Sequence, residues 1–324
     1  MKAIVQVHYG SPDGLELREI ERPVAGDDQL LIEVQAASLN FADYGSLKLI
    51  AQLFGLLLRQ PRTRVRGFDL SGRVAAVGKN VTQWKPGDEV FGVGIGSFAE
   101  FALTTENRIA PKPSRLTFEQ AAALPVAGVT ALQGLRDKAQ LQPGQSVVIY
   151  GAGGGVGTLA VQIARALGAR VTAVSHTRNL EMLRSLGADD VLDYTREDFT
   201  DRGQRYDVLF DLGANRSLGD CRRALAPGGI HVIAGAGSEL WPVLSRMVQV
   251  QLRSRIGRQR IGSFLARIRQ PDLFALKDMA EAGKLTAAID RTYALAEVPD
   301  AFRYLGTHGV SGKLVVRTQE SDHR

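Results

Sequence analysis

A single cysteine, Cys221, stands among the 324 residues, so no intrachain disulfide can form. That fits a reducing compartment. It also excludes a zinc site built from two or four cysteines of one chain. Aromatic residues make up only 6%, charged residues 23% and apolar residues 44%. This is close to an ordinary globular balance and excludes a disordered or collagen-like chain. Long apolar runs are missing too. The longest greasy stretch, 47–58, is interrupted by Lys48 and Gln52 and is too short to span a bilayer. Residues 1–8 alternate like a strand and lack the basic and apolar regions of a signal peptide. The expectation is a soluble cytoplasmic protein.

The length suggests about two domains. Residues 1–120 read as β-rich, with alternating runs such as "KAIVQVH" and "LLIEVQA" broken by turns such as "SPDG" and "KPGD". From 121 to 260 the pattern changes. Apolar runs "SVVIY", "RVTAVS", "YDVLFDL" and "IHVIAGAG" alternate with helical segments, which argues for βαβ units and a parallel sheet. Residues 261–324 end in a strand, "KLVVRT", and read as a return to the first domain.

The segment 147–179, "VVIYGAGGGVGTLAVQIARALGARVTAVSHTRN", carries the clearest chemistry. A strand that feeds a helix through a glycine turn offers free N–H groups and a positive dipole end to a pyrophosphate. Aligned on its final glycine, the turn reads Ala-x-Gly-x-x-Gly, with Ala152, Gly154 and Gly157 in the three roles. The usual first glycine is an alanine, so the motif rests on its strand–turn–helix–strand setting. An Asp or Glu at the end of the second strand holds the ribose of NAD and repels a 2′-phosphate. Here that strand ends in Ser175, His176, Thr177 and Arg178. Hydroxyls and a guanidinium suit a phosphate, so the cofactor expected is NADP(H). The plainer reading of Arg178 is a solvated helix-start residue.

"SLNFADYGSLK" (38–48), "GFDLSGRVAAVG" (67–78), "KPGDEVFG" (85–92), "AAALPVAGVTALQGL" (121–135), "LGADDVLDYTREDF" (186–199), "APGGIHVIAG" (226–235) and "HGVSGKLVV" (308–316) complete the pattern. With them the chain resembles a medium-chain dehydrogenase/reductase of the zinc-free quinone oxidoreductase branch. The resemblance implies an α/β architecture: a GroES-like β-barrel catalytic domain plus a doubly wound Rossmann domain, with the active site in the cleft between them. It implies hydride transfer from NADPH to a quinone or an α,β-unsaturated carbonyl, and a homodimer. It places Phe41 and Thr130 near the nicotinamide, and Gly154, Gly155, Val156 and Gly157 on the pyrophosphate. Ser175, Arg178 and Tyr194 would surround the 2′-phosphate. Gly235, Ala236 and Lys313 would approach the nicotinamide half. A half-buried strand-end tyrosine is the plainer reading of Tyr194.

Alcohol dehydrogenases of this superfamily hold a catalytic zinc with two cysteines and a histidine. The resemblance puts Asn40, Phe68 and Val126 in those three places. No metal is expected. Without a Lewis acid, simple alcohol oxidation is disfavoured and conjugated acceptors fit better. The enzyme then has mainly to position substrate and exclude water. Tyr44 is the first candidate to bond the substrate oxygen or donate a proton. Asn40 is a second donor, and Asp43 a group that orients neighbours. Each has a structural alternative as a turn residue bonded to local backbone. Asp69 is a support for the cleft or a turn cap.

Net charge is +6, but it is uneven. Arg59, Arg62, Arg64 and Arg66 form one cluster. Arg246, Arg253, Arg255, Arg258, Arg260, Arg267 and Arg269 form another. Setting aside these eleven arginines turns +6 into −5. The stretch 47–67 reads as a substrate lid or as a segment in weak contact with an anionic membrane surface. The helix pattern at 243–257 reads as a core helix with a basic solvated face. Nucleic acid is not expected, because the arginines lack aromatic interleaving and a recognition motif. A non-catalytic NADPH-binding sensor on the same fold is the second reading.

Overall fold

The computed structural model describes residues 1–8, 10–45, 65–213, 215–234, 260–307 and 309–319. The chain divides into two compact units. One is Met1–Val126 with Ile268–Arg324, and the other is Ala127–Arg267.

The first unit opens with β1 (Lys2–Gln6), paired antiparallel to β2 (Leu15–Glu19). Then come β3 (Gln29–Ser38), β4 (Asp69–Val77), β5 (Glu89–Val93), β6 (Phe101–Thr105) and β7 (Ile109–Pro111). Alternation along β3 sends Leu30, Ile32 and Val34 into the core with Ile4, Leu70 and Phe98. Each such side chain, fully buried, contributes about 1.5–3 kcal/mol of hydrophobic free energy. Residues 41–45, just past β3, are helical. The helix α1 (Phe118–Ala122) starts with a capping box. Gln120 N donates to the Thr117 hydroxyl, and Thr117 N donates to the Gln120 side chain.

After α2 (Pro125–Leu132), the second unit is a six-stranded parallel sheet. Its strands are β8 (Ser146–Tyr150), β9 (Arg170–Ser175), β10 (Asp190–Asp193), β11 (Tyr206–Asp211), β12 (Leu225–Ile233) and β13 (Arg260–Ser263). Their order is β10-β9-β8-β11-β12-β13. The order reverses between β8 and β11, which is where doubly wound sheets open a crevice at the strand ends. The helix α3 (Gly155–Ala166) packs its apolar face, Leu159, Ala160 and Ile163 among others, on β8 and β9. Arg165 sits in its last turn, where the dipole favours a cation. Shorter helices α4 (Leu180–Ser185) and α5 (Leu218–Arg223) follow.

The chain then returns to the first unit through α6 (Gln270–Glu281), β14 (Ile289–Ala294), α7 (Val298–Leu305) and β15 (Lys313–Arg317). Phe302 of α7 meets Phe98 edge-on at 5.9 Å. The first-unit sheet runs β14-β15-β3-β4-β5-β7, with β6 also paired to β3. Only β14 and β15 are parallel within it.

The unit boundaries fall a few residues later than 121 and 261, for local reasons. α1 packs on β3, β4 and β5, and Val126 N bonds Asp69, which keeps 121–126 with the first unit. β13 pairs with β12, and the Gln133 amide grips both Arg267 N and Arg267 O, which keeps 261–267 with the second. No helix among the described residues is long and apolar enough to cross a membrane.

Candidate active site

The nucleotide side is built on the carboxyl ends of β8, β9, β10 and β11. Gly151, directly after β8, has φ +87°, which only glycine adopts without strain. The tight-turn role therefore belongs to Gly151 and not to Ala152, so the motif has its first glycine one place earlier than the alignment suggested. Gly157 serves close packing: a Cβ there would lie 2.5 Å from Ala152 Cα and Gly151 O. Gly154 is different. Its φ of −85° is open to any residue, and a Cβ would meet only Gly151 O, at 3.8 Å. Nothing among the described residues requires glycine there. A backbone kept bare toward open space suits a ligand that lies against it. Gly154 is also the N-cap of α3, which has no side-chain cap, so Gly155, Val156 and Gly157 head the helix with their N–H groups uncapped.

Beside this turn lies a cavity of about 390 Å³, lined by Tyr150, Gly151, Tyr194, Gly213, Asn215 and Arg216. It stands at the switch point between β8 and β11. Its size is in the range of small-molecule sites. These features fit a bound dinucleotide.

The expected phosphate residues sort into three kinds. Tyr194 is half exposed, lines the cavity and meets His176 edge-on at 6.0 Å. Arg178 is exposed, and its guanidinium has no partner among the described residues. Ser175 is buried, and its hydroxyl accepts from Asn179 Nδ2 at 2.9 Å. The sequence reading missed Asp193. It ends β10 in register with Ser175. Its carboxylate accepts from the Thr177 hydroxyl and from Thr195 Oγ1 and N, with Arg196 at 3.6 Å. The Thr177 hydroxyl bond, with the Thr195 bonds, holds its carboxyl down to about 2. An acid is thus present after all, supplied by the neighbouring strand, but one of its oxygens holds Thr177 of the 176–179 turn and the other holds Thr195.

In the first unit, the register of β15, β3 and β4 brings Lys313, the 38–40 segment and Asp69 to one point. Asp69 is the hub. Its Oδ2 accepts from Ser38 Oγ at 3.0 Å and from Asn40 Nδ2 at 3.0 Å, and lies 3.4 Å from Lys313 Nζ. Its Oδ1 accepts from Val126 N at 3.1 Å. Lys313, expected near the nicotinamide half, is tied into this network. It is buried, and its ammonium donates to Leu39 O at 2.9 Å, Asn40 Oδ1 at 2.7 Å and Asp69 Oδ2. Its three donors are all used. Desolvation draws its pKa below the usual lysine value, with Asp69 pulling the other way.

Asp43 is fully buried and accepts from Asn40 N at 2.9 Å. Loss of water, with the Asp69 charge adding to it, pushes its carboxyl up to about 6. Arg66 donates to its backbone carbonyl at 3.1 Å. Tyr44 packs against the core, its ring 6.0 Å from Phe41. Its hydroxyl reaches Gly306, where a Cβ would come within 2.7 Å of it. Thr130, on α2, is half-buried in the second unit. Gly235, Ala236 and most of both arginine clusters lie outside the described residues.

The three positions matched to zinc ligands do not fit that metal. Asn40 Oδ1 is taken by an ammonium. Phe68, about half exposed, and Val126 have no ligand atom in their side chains. Among the described residues, one group has mutually close donors: Asp211, Cys221 and His231, all buried in the second unit, with ligand atoms within 4.8 Å of one another. His231 Nε2 and Asp211 Oδ2 are 3.0 Å apart and hydrogen-bonded.

Residues 26–114 match the family described as alcohol dehydrogenase GroES-like domain, and residues 186–316 that described as zinc-binding dehydrogenase. The 2-methylene-furan-3-one reductase of Solanum lycopersicum is 34% identical, over 98% of this chain and 79% of that protein. The chloroplastic NADPH-dependent alkenal/one oxidoreductase of Arabidopsis thaliana is 34% identical over the same shares. The solved structure of the quinone oxidoreductase from Coxiella burnetii superposes with a TM-score of 0.85 at 31% identity, covering 98% of this chain and 99% of that one. The chain belongs to the medium-chain dehydrogenase/reductase superfamily, in its quinone oxidoreductase-like branch.

Proposed function

We propose that the protein reduces α,β-unsaturated carbonyls or quinones with NADPH, without a metal. The carrying observation is the Asn40–Lys313–Asp69 network. Of the three residues that the resemblance sets in zinc-ligand places, only Asn40 has a polar side chain, and an ammonium and a carboxylate already engage it. Such a site holds no Lewis acid for an alkoxide, but it does hold a fixed hydrogen-bond donor. The names of the relatives support the same reading, since an alkenal or enone joins its carbonyl to a C=C bond and accepts hydride readily.

Bound NADPH supplies the hydride. The uncapped head of α3 and the bare Gly154 would hold its pyrophosphate, with Arg178 and Tyr194 on the 2′-phosphate. Phe41 and Thr130 remain the candidates for the nicotinamide side. Asn40 is preferred to Tyr44 as the substrate donor, because the Tyr44 hydroxyl is packed against Gly306. Asp43 holds the Asn40 backbone. A homodimer and a cytoplasmic location belong to the same reading. Light scattering on purified protein and fractionation of cell extract check them.

The test is consumption of NADPH and NADH against a panel of quinones and enones, with EDTA throughout. NADPH-selective turnover is expected, and Arg178→Ala should narrow that selectivity at least tenfold. Binding of NADPH with no turnover on any member would point instead to a sensor. Equal turnover with NADH would remove the 2′-phosphate assignment.

A further inference from the structure

We propose that Lys313 is a positioning residue: it fixes and polarises the Asn40 amide as the donor to the substrate oxygen that gains charge. This rests on the reading above. A side-chain amide has two faces and can flip, presenting either its oxygen or its nitrogen to a given neighbour. Here the flip is locked from both sides. An ammonium only donates, so Lys313 claims Oδ1 at 2.7 Å. The Asp69 carboxylate accepts, so it claims one N–H of Nδ2 at 3.0 Å. The second N–H of Asn40 has no acceptor among the described residues. Lys313 and Asp69 are themselves held in place: the ammonium is spread over three oxygens, and the carboxylate is bonded at both of its own.

Polarisation follows from burial. Lys313 and Asp69 are 4% and 0% exposed, so their charges act through a medium of low dielectric. A cation on the amide oxygen withdraws electron density and strengthens the remaining N–H as a donor. The Leu39 carbonyl, held by the same ammonium, pins the backbone that carries Asn40.

The chemical step balances without a metal. Hydride from NADPH forms a C–H bond at the β-carbon. The π pair of the C=C bond shifts and leaves an enolate, its charge on the former carbonyl oxygen. That oxygen accepts the Asn40 N–H. Water then supplies the proton to the α-carbon, and NADPH leaves oxidised as NADP⁺. The donor is set in place before charge develops, as in an oxyanion hole.

The experiment is a double-mutant cycle on the full chain, using Lys313→Met and Asn40→Ala, with kcat, KM, NADPH affinity and the isotope effect from 4-deuterated NADPH. Asn40→Ala should lower kcat about 10²-fold, the usual cost of one such donor. Lys313→Met should lower it at least tenfold alone and have no further effect in the Asn40→Ala background. NADPH affinity should be unchanged, and the isotope effect should rise in both variants as hydride transfer becomes limiting. A merely structural lysine would reduce the active fraction and leave the isotope effect alone. If Lys313→Met does not fold, the pair K313M/D69N removes both buried charges and enters the same cycle. Equal fold-losses from Lys313→Met with and without Asn40 would overturn the proposal, as would undiminished kcat. A wild-type protein that oxidises NADPH with no enone or quinone overturns the functional reading itself. Normal wild-type turnover with unaffected variants overturns this inference alone.

Discussion

A carboxylate taken out of water favours its proton, and Asp43 is such a group. Its folded value of about 6 stands above its unfolded one, near 4. The folded state therefore binds more protons than the unfolded state between those values. The stability this group adds is complete below about pH 4 and is lost as pH rises through about 6. Two units amount to about 3 kcal/mol at most. Asp43→Asn keeps an acceptor for Asn40 N and cannot ionise. Its melting temperature should gain on wild type between pH 4 and pH 7 and run parallel above that. A gap that stays constant over the range would show that Asp43 ionises at its ordinary value. Little of this was legible in the residues themselves. "NFAD" reads equally well as a turn that bonds its own backbone, and Asn40 N does bond Asp43. The partners that matter more, Asp69 and Lys313, join Asn40 from 29 and 273 positions away. No local spacing records such a meeting. The resemblance placed Lys313 near the site but not in its floor.

The elements were far easier to read than their details. The run 147–150, the helical period that begins near 156 and the run 170–174 each follow from apolar spacing, and β8, α3 and β9 stand there. Which glycine makes the turn was not legible, because that depends on φ and not on composition. Asp193 was hidden for a related reason. The acid was sought at the end of β9, whereas side chains at the end of β10 reach the same place across the sheet. The structure turns the glycines into a contrast that can be measured. Gly157→Ala puts a methyl carbon 2.5 Å from the Ala152 and Gly151 backbone, so strand and helix must separate. Overpacking of this kind costs about 1–3 kcal/mol and should lower the melting temperature by several degrees. Gly154→Ala meets nothing closer than 3.8 Å among the described residues, so the melting temperature should hold. NADPH affinity should instead fall, by about tenfold for each 1.4 kcal/mol of lost contact. Fluorescence titration and thermal melts on the two variants separate these effects. If Gly154→Ala binds NADPH normally, the bare backbone there is not where the cofactor lies.

At the scale of the whole molecule, the family description and the residues give different answers about metal. Residues 186–316 match a family described as zinc-binding dehydrogenase. Yet the positions matched to catalytic ligands, Asn40, Phe68 and Val126, all lie in the first unit and offer no ligand set. Among the described residues, the one close group of mixed donors, Asp211, Cys221 and His231, belongs to the second unit. The sequence made the first half of this plain, because one cysteine cannot supply two. It could not show the second half, since β11, α5 and β12 bring the trio together only on folding. Bulk metal analysis alone is therefore an ambiguous test of the functional reading. Protein purified without chelator should carry far less than one zinc per chain, and EDTA should leave NADPH oxidation unchanged. If zinc does appear, Cys221→Ser decides its place, since loss of a thiolate ligand sharply weakens a zinc site. Zinc that disappears with Cys221 would sit in the core of the second unit and leave the metal-free reduction standing. Zinc that stays, with activity that falls on its removal, would mean that an ion is held near Asn40 after all, and the assignment of that site to an amide and a lysine would be wrong.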